Sequence, residues 1–204
     1  MVFHNYKCIF LHMPKTAGRS ITNALGGQGD IEDLYWHETQ NEHKKYIEKR
    51  IYDSYFKFAF VRNPWDRILS AYFWYKGGGV QNKADKKIGK NLPWRFKKFI
   101  KNYEKFISEH DNELSPHFLP QIQIINNPNE LDFIGKFENL EKDFSYVCKE
   151  LGLDNIKLPH SNKSKHKPYW RYYDKTTKDI VASIFKKDIE VFNYSFRDAN
   201  NENI

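Results

Sequence analysis

Near its beginning the chain reads Lys7-Cys8-Ile9-Phe10-Leu11-His12-Met13-Pro14-Lys15-Thr16-Ala17-Gly18-Arg19-Ser20. Residues 7–12 form an apolar run that predicts a β-strand, and Pro14 ends that run. Gly18 then opens a predicted short helix over residues 19–25. A loop between a strand and a helix N-terminus presents main-chain N–H groups to an anion. The stretch therefore predicts a site for a phosphate-like group.

The order of residues in this loop differs from that of an ATP-binding phosphate loop. ATP-binding loops have the spacing G-x-x-x-x-G-K-[ST], in which the lysine follows the glycine. Here Lys15 precedes Gly18, and that spacing is absent. The loop is therefore predicted to bind an anion, with the Lys15 cation at the edge of the site. The identity of the anion stays open.

Composition limits the class of protein. A chain of 204 residues is expected to form a single domain over residues 1–204, with a substantial buried core. The 33 Lys and Arg exceed the 26 Asp and Glu, which gives a formal charge of +7 and favours anionic ligands. The aromatic content of 17% is high, and such rings suit both core packing and stacking on sugar or purine faces.

Several classes are disfavoured. The first apolar run lacks a cleavage site, and no run approaches the ~18 apolar residues of a membrane span. Cys8 and Cys148 are far apart within apolar patterns, which predicts buried free thiols. The eight histidines show no metal-binding spacing. We therefore expect a cytoplasmic protein with no integral membrane segment and no metal.

Strands and helices alternate along the chain, which predicts an α/β fold with a parallel sheet covered on both faces. We expect lysine-rich surface loops at residues 80–92 and 160–167. The predicted strands are residues 7–12, 56–61 and 131–136. Five helices are predicted: one over residues 19–25, one from Asn63 or Pro64 to Gly77, one that begins at Pro93, one over residues 140–151, and one that begins at Asp174.

A second anion site is predicted after the second strand. Arg62 follows residues 56–61 directly, and Ser70 lies about two turns into the next helix. Ligands of parallel sheets bind beyond the carboxyl ends of the strands, where a guanidinium and a hydroxyl suit an anion. Arg62 has an alternative role, because it could pair with Asp66 at the helix start. Two anion sites at one sheet edge indicate a ligand with two separate anionic groups.

These motifs resemble those of sulfotransferases that use 3′-phosphoadenosine 5′-phosphosulfate (PAPS). The similarity is to their carbohydrate branch, sulfotransferase family 2, which includes heparan sulfate 2-O-sulfotransferases. The motifs that carry the resemblance are Phe10 to Ser20, Phe60 to Tyr72, His117-x-x-Pro120-Gln121, Ile134 to Leu140, Asn162-x-Ser164 and Asp188-Ile189-Glu190-x-Phe192-x-Tyr194. They occur in order from Cys8 to about Phe196, nearly the whole chain.

The resemblance implies a P-loop-NTPase-like three-layer fold with a central parallel sheet flanked by helices. It implies that the first loop holds the 5′-phosphosulfate and that Arg62 and Ser70 hold the 3′-phosphate. The basic loop from Asn162 to Lys167 would cover the nucleotide or meet an anionic acceptor, with a solvated loop as the alternative. The residues implied to bind PAPS are Pro14, Lys15, Thr16, Ala17, Gly18, Arg19, Ser20, Arg62, Ser70, Asn162, Lys163 and Ser164.

The resemblance also implies a reaction, transfer of a sulfonate group to an acceptor hydroxyl by in-line displacement. Lys15 would neutralise charge on the departing adenosine 3′,5′-bisphosphate, as a metal ion does in phosphoryl transfer. His117 is the candidate base, with His37 and Glu38 as rivals and a structural role as the alternative. The implied acceptor is a saccharide; a lipid, a small metabolite and a protein tyrosine stay open, as does the oligomeric state.

The sequence disfavours two other functions. A P-loop-type nucleotide or small-molecule kinase requires a Gly-Lys pair followed by Ser or Thr, and a metal-binding Asp after a strand; neither is found. A nucleic-acid-binding protein would cluster basic and aromatic residues on one face, whereas these lysines are expected in two loops and on scattered helix surfaces. No nucleic-acid partner is expected.

Overall fold

The computed structural model describes residues 1–27, 38–110, 116–153, 156, 158 and 167–197. In chain order the elements are β1 (Val2–Phe3), β2 (Cys8–Leu11), α1 (Gly18–Ala24), α2 (Gln40–Tyr46), α3 (Lys49–Ser54), β3 (Phe56–Val61), α4 (Pro64–Lys76), α5 (Lys83–Asn91), α6 (Phe96–Lys101), α7 (Tyr103–His110), α8 (Gln121–Ile124), β4 (Phe133–Lys136), α9 (Leu140–Glu150), α10 (Lys175–Ile184) and α11 (Lys186–Val191). A 3₁₀ turn, Phe137–Asn139, joins β4 to α9.

The chain divides into two compact units. The first consists of Met1–Arg62 with Gln121–Lys163, and the second of Asn63–Pro120 with Ser164–Ile204. All four strands of the described residues lie in the first unit. The elements that the structure describes in the second unit are all helices.

The sheet has the strand order β1-β2-β3-β4. β2, β3 and β4 run parallel, with Phe10 opposite Phe58 and Phe60 opposite Gly135. This confirms the predicted parallel sheet. β1 pairs antiparallel with β2 and adds an edge strand that was not predicted, because two residues are too short for a periodic pattern.

Helices cover both faces of the sheet in the first unit. On one face, Phe10 and Phe58 stack at 4.9 Å and join a core with Ile21 of α1 and Phe144 of α9. On the other face, a smaller cluster combines side chains of β1 and β2 with side chains from the end of α2 and from α3: Val2, Ile9, Ile47 and Tyr52. The three-layer α/β arrangement that the sequence predicted is therefore confirmed.

Gly135 leaves room for a buried aromatic ring. A Cβ atom at this position would lie 2.5 Å from the ring of Phe60, which is fully buried and meets Phe133 edge to face. We expect Gly135→Ala to lower the free energy of unfolding by about 2 kcal/mol, because the methyl group must displace this ring. Urea denaturation measures the change, with Gly77→Ala as control, since a Cβ there comes no closer than 3.4 Å to its neighbours. Equal midpoints for the two variants would contradict this packing account.

The second unit has an aromatic core and begins at the predicted helix start. The Asn63 side chain accepts a hydrogen bond from the Trp65 N–H at 3.1 Å, and Pro64 takes the first helical position of α4. α4 then buries Trp65, Tyr72 and Tyr75 along one face, and Tyr72 stacks on Phe99 of α6 at 5.6 Å. The predicted helix that Gly77 ends is thus confirmed.

Two predictions for this unit were wrong. Residues 80–92 were expected to be a loop, but α5 forms there, since Asn82 caps it and Ile88 is buried in the core. The helix predicted from Pro93 is two helices, α6 and α7, which meet at Asn102. The Asn102 side chain donates to the Lys98 carbonyl at 2.7 Å, which ends α6.

The predicted helix start at Asp174 is confirmed. Its carboxylate accepts a hydrogen bond from the Thr177 N–H at 2.9 Å, and the Thr177 hydroxyl accepts one from the Asp174 N–H. This capping box begins α10. Of the loop predicted at 160–167, only Lys167 lies within the described residues.

Cys8 and Cys148 are free and buried, as predicted. Within the described ranges, no helix combines the length and apolar character that crossing a bilayer requires. No cluster of three or more His, Cys, Asp or Glu side chains suited to a metal ion occurs in that part of the chain.

Candidate anion-binding site

The loop after β2 has a tightly folded backbone. Lys15 and Ala17 have φ values of 69° and 66°, the left-handed region that L-residues seldom occupy. Thr16 between them is fully buried, and its hydroxyl donates to the Met13 carbonyl at 2.9 Å. Left-handed residues within a turn aim main-chain N–H groups into one concavity, which is an anion-binding geometry.

The loop passes into α1 without a side-chain cap. Ala17 occupies the N-cap position, and its carbonyl accepts hydrogen bonds from the Ser20 and Ile21 N–H groups at 2.9 and 3.1 Å. Alanine has no side-chain oxygen with which to cap the N–H groups of the first turn. Main-chain donors of this turn are thus suited to hold an external anion.

Gly18 is required by its neighbour His12. A Cβ atom at position 18 would lie 1.8 Å from the His12 Nε2, so any side chain there would collide with the imidazole. The His12 ring also stacks on Phe10, with centroids 5.5 Å apart. His12 thereby supports the loop from the sheet side.

Three cations of the first unit converge on the loop. Burial, followed by the positive charges of Arg62 and Arg19, lowers the pKa of Lys15 from 10.5 to about 7. A bound anion would offset both the repulsion and part of the desolvation. The concentration of positive charge is therefore suited to a ligand with more than one negative charge.

Arg62 is fixed from several sides. Its Nη1 donates to the Lys15 carbonyl at 3.0 Å, and its guanidinium lies 4.0 Å from the centre of the Phe137 ring. The Gln121 side chain accepts from the Arg62 N–H at 2.9 Å and donates to the Arg62 carbonyl at 3.0 Å. These contacts hold a buried cation beside the loop. They use two residues, Phe137 and Gln121, to which the sequence assigned no role.

His117 belongs to the second unit and is held between aromatic rings. It stacks on Trp74 with centroids 4.5 Å apart and meets Tyr75 edge to face at 5.5 Å. Arg67, which is fully buried, donates to the His117 carbonyl at 3.2 Å and also to the Leu119 carbonyl. Arg67 was not predicted as a site residue. It fixes the backbone on both sides of Phe118.

The structure brings together part of the predicted site. Loop residues 14–20 and Arg62 lie in the first unit, where Lys15 and Arg62 are in contact. Ser70 is buried in α4 of the second unit, and its pairing with Arg62 stays a prediction. Glu38 is half-buried just before α2. Four other predicted site residues lie outside the described residues: His37, Asn162, Lys163 and Ser164.

Comparison with known proteins identifies the family to which this loop and Arg62 belong. The family model described as "Sulfotransferase family" matches residues 1–195. The chain belongs to the sulfotransferase family. This confirms the resemblance drawn from the two anion-site motifs, and no comparison supports a kinase.

Individual relatives of the family differ in how much of the chain they match. Carbohydrate sulfotransferase 14 of Danio rerio is 30% identical over 52% of this chain and 32% of its own length. Carbohydrate sulfotransferase 11 of Rattus norvegicus is 23% identical over 96% of this chain and 66% of its own. An uncharacterized protein of Archaeoglobus fulgidus is 33% identical over 52% of this chain and 76% of its own. The chain thus spans between a third and two thirds of the named sulfotransferases it matches. No solved structure matches it.

Proposed function

We propose that the protein transfers the sulfonate group of PAPS to a hydroxyl group of a carbohydrate. The observation that carries this proposal is the convergence of Lys15, Arg19 and Arg62 at the loop after β2, within a chain of the sulfotransferase family. The names of the relatives support a carbohydrate acceptor.

The residues present fit a nucleotide with two phosphate-bearing ends. The folded loop offers main-chain donors at the uncapped start of α1, which suit a 5′-phosphosulfate. The Arg62 guanidinium, which lies beside the loop and packs on Phe137, is proposed to bind the 3′-phosphate. Ser70 is proposed to assist Arg62, and Asn162, Lys163 and Ser164 are proposed to cover the nucleotide.

The proposed reaction forms one bond to sulfur and breaks another. The acceptor oxygen bonds to the sulfonate sulfur while the bond from sulfur to the 5′-phosphate oxygen breaks, releasing adenosine 3′,5′-bisphosphate. Protonated Lys15 stabilises the negative charge that develops on the leaving oxygen. Because Lys15 supplies this charge, we propose that transfer needs no metal ion.

The proton of the acceptor hydroxyl needs a base, for which we propose His117. The stack with Trp74 fixes the ring plane, and Arg67 fixes the backbone carbonyl of His117. A neutral imidazole can accept the proton of a hydroxyl group as a general base. Glu38 and His37 stay alternatives for the base, and a cytoplasmic location and a single domain stay predictions.

A screen with sulfur-labelled PAPS tests the proposal. We expect label to pass from PAPS to one or more soluble glycans in a panel of neutral and acidic oligosaccharides. The control is the Lys15→Met variant, which should leave the glycans unlabelled. Transfer of the γ-phosphate of labelled ATP to the same glycans, without sulfonate transfer, would contradict the proposed function.

Nucleotide binding is expected to take up a proton. The pKa of Lys15 is about 7 without an anion, and a bound bisphosphate raises it. At about pH 8 the free protein is mostly deprotonated at Lys15, so binding should take up close to one proton. The affinity for adenosine 3′,5′-bisphosphate should then fall as the pH rises from about 7 to 9, by up to tenfold per unit.

Calorimetry in two buffers with different ionisation enthalpies measures this uptake. The Lys15→Met variant should show neither the uptake nor the pH dependence, because methionine cannot be protonated. Affinity that stays constant over this range in the unmodified protein would show that Lys15 does not bind the anion as a cation.

A further inference from the structure

The net positive charge of the chain arises in one segment. Residues 77–102, called here the basic segment, contain eight Lys and Arg against a single Asp, and therefore carry the entire formal charge of +7. The other residues contain 25 acidic and 25 basic side chains. So strong a segregation of charge suits an anionic partner at this part of the surface.

The structure exposes these cations and buries the one acid. Lys83, Lys86, Lys87 and Lys90 follow the spacing i, i+3, i+4 and i+7, so they form one stripe along α5, and all four are exposed. Asp85 on the opposite side is buried, and its carboxylate accepts a hydrogen bond from the Val80 N–H at 3.0 Å. The acid therefore shapes the turn before α5 and does not interrupt the stripe.

The segment continues with exposed cations around α6. Arg95, Lys98 and Lys101 are exposed, and Lys97 pairs with Asp174 at 3.0 Å. Two exposed apolar side chains accompany them, Val80 and Trp94.

Trp94 is held outward by its neighbours. Its side chain is 88% exposed, although the unit has an aromatic core in which a tryptophan could pack. The Tyr72 hydroxyl is placed to donate to the Pro93 and Trp94 carbonyls, at 2.8 and 2.6 Å. The Lys76 ammonium donates to the Leu92 carbonyl and lies 5.8 Å from the indole. The fold thus fixes the backbone of a tryptophan that projects into solvent.

We propose that the basic segment docks the protein on an anionic phospholipid surface, a property beyond the proposed transfer reaction. Lysine clusters bind anionic headgroups through net charge, and tryptophan is an aromatic residue enriched at the membrane interface. A polybasic patch and an apolar anchor together give the two signals that stable peripheral binding requires. The segment supplies both.

Exposure and residue type favour a membrane over other polyanions. A ring that is 88% exposed lies at a projecting point, whereas ligand-binding aromatics line concave sites that cover much of the ligand. Single-stranded nucleic acid is bound by several stacking aromatics along a groove, and bidentate phosphate recognition favours arginine. The basic segment has one exposed aromatic ring, and lysine supplies seven of its eight cations. A lipid headgroup layer accepts such diffuse charge.

Vesicle sedimentation tests this proposal. The protein should bind vesicles of phosphatidylcholine with about 30% phosphatidylglycerol and release at about 0.5 M NaCl, while pure phosphatidylcholine binds little. Changing Lys83, Lys86, Lys87 and Lys90 together to glutamine should weaken binding about 10³-fold. Trp94→Ala should weaken it about tenfold. A control with the same change of charge replaces exposed lysines elsewhere by glutamine: Lys142, Lys149, Lys175 and Lys187.

Each outcome decides the proposal. The control variant should bind nearly as well as the unmodified protein, and all variants should keep their affinity for adenosine 3′,5′-bisphosphate. Equal loss in the stripe variant and the control variant would overturn the proposal, because total charge would then suffice. Binding to dextran sulfate or duplex DNA through the stripe, without binding to anionic vesicles, would also overturn it. Neither result bears on sulfonate transfer, so this proposal can fail while the proposed function stands.

Discussion

Replacement of Lys15 by methionine is expected to lower the rate of sulfonate transfer by about 10²- to 10³-fold, because one preorganised charge at the leaving oxygen is lost. The substitution is conservative in shape. The contact between Arg62 and position 15 uses the main-chain carbonyl, so it persists in the variant. The left-handed backbone at φ 69° is equally demanding for both side chains. The loss should therefore reflect charge and not the shape of the loop.

Initial rates with labelled PAPS and a glycan acceptor from the screen measure this effect. The matched control is Arg19→Met, which removes a cation from an exposed position in the first turn of α1. We expect that control to lose less than about tenfold, since an exposed charge is screened by water. A Lys15→Met variant that turns over within threefold of the unmodified protein would contradict the role proposed for Lys15.

Replacement of Arg62 by methionine is expected to remove the preference for a 3′-phosphate. The side chain is 6% exposed and lies against Phe137, so methionine fills much of the space while it removes the guanidinium. A charge-assisted bidentate contact contributes about 1.5–3 kcal/mol. The affinity for adenosine 3′,5′-bisphosphate should therefore fall about 10- to 100-fold. The affinity for ADP, which lacks a 3′-phosphate, should change less than about threefold.

Calorimetric titrations of both nucleotides provide the comparison. The thermal midpoint of the variant should be measured beside them, because loss of the hydrogen bond to the Lys15 carbonyl could loosen the loop. A variant that loses affinity for the bisphosphate and for ADP to the same extent would show that Arg62 supports the loop and does not recognise the 3′-phosphate.

The sheet and the first loop could be predicted because their signals are local. Residues 56–61 form a short, mostly apolar run that predicts a strand. Pro14 and Gly18 mark the loop between the first strand and the first helix. The capping residues Asn63 and Asp174 likewise set helix starts through hydrogen bonds that span two or three residues. Short-range chemistry of this kind can be read from sequence alone.

α5 could not be predicted, because its apolar signal is weak. Lysines dominate its composition, and Ile88 with Leu92 just beyond it are the large apolar side chains that it directs into the core. Gly89 adds close packing that no periodicity shows, since a Cβ there would lie 2.1 Å from the Tyr75 carbonyl. Packing against α4 therefore stabilises α5 more than its own sequence does.

The supporting residues of the site were missed for a related reason. The Gln121 side chain forms a hydrogen bond with the backbone of Arg62, 59 residues away in sequence. The Arg67 side chain donates to the main-chain carbonyls of a segment 50 residues away. Partners so distant in sequence leave no local pattern, although Gln121 and Arg67 both stand inside motifs that the family resemblance marked. A buried polar residue inside such a motif is a candidate for positioning the site.

The central claim, that the protein binds a nucleotide with separate 3′- and 5′-anions, is tested most directly by one calorimetric titration. The unmodified protein is titrated in parallel with adenosine 3′,5′-bisphosphate, ADP and AMP at about pH 7, where Lys15 is partly protonated. The account predicts that the bisphosphate binds at least about tenfold more tightly than ADP, with AMP weakest, because Arg62 adds a charged contact. Equal or tighter binding of ADP would contradict it.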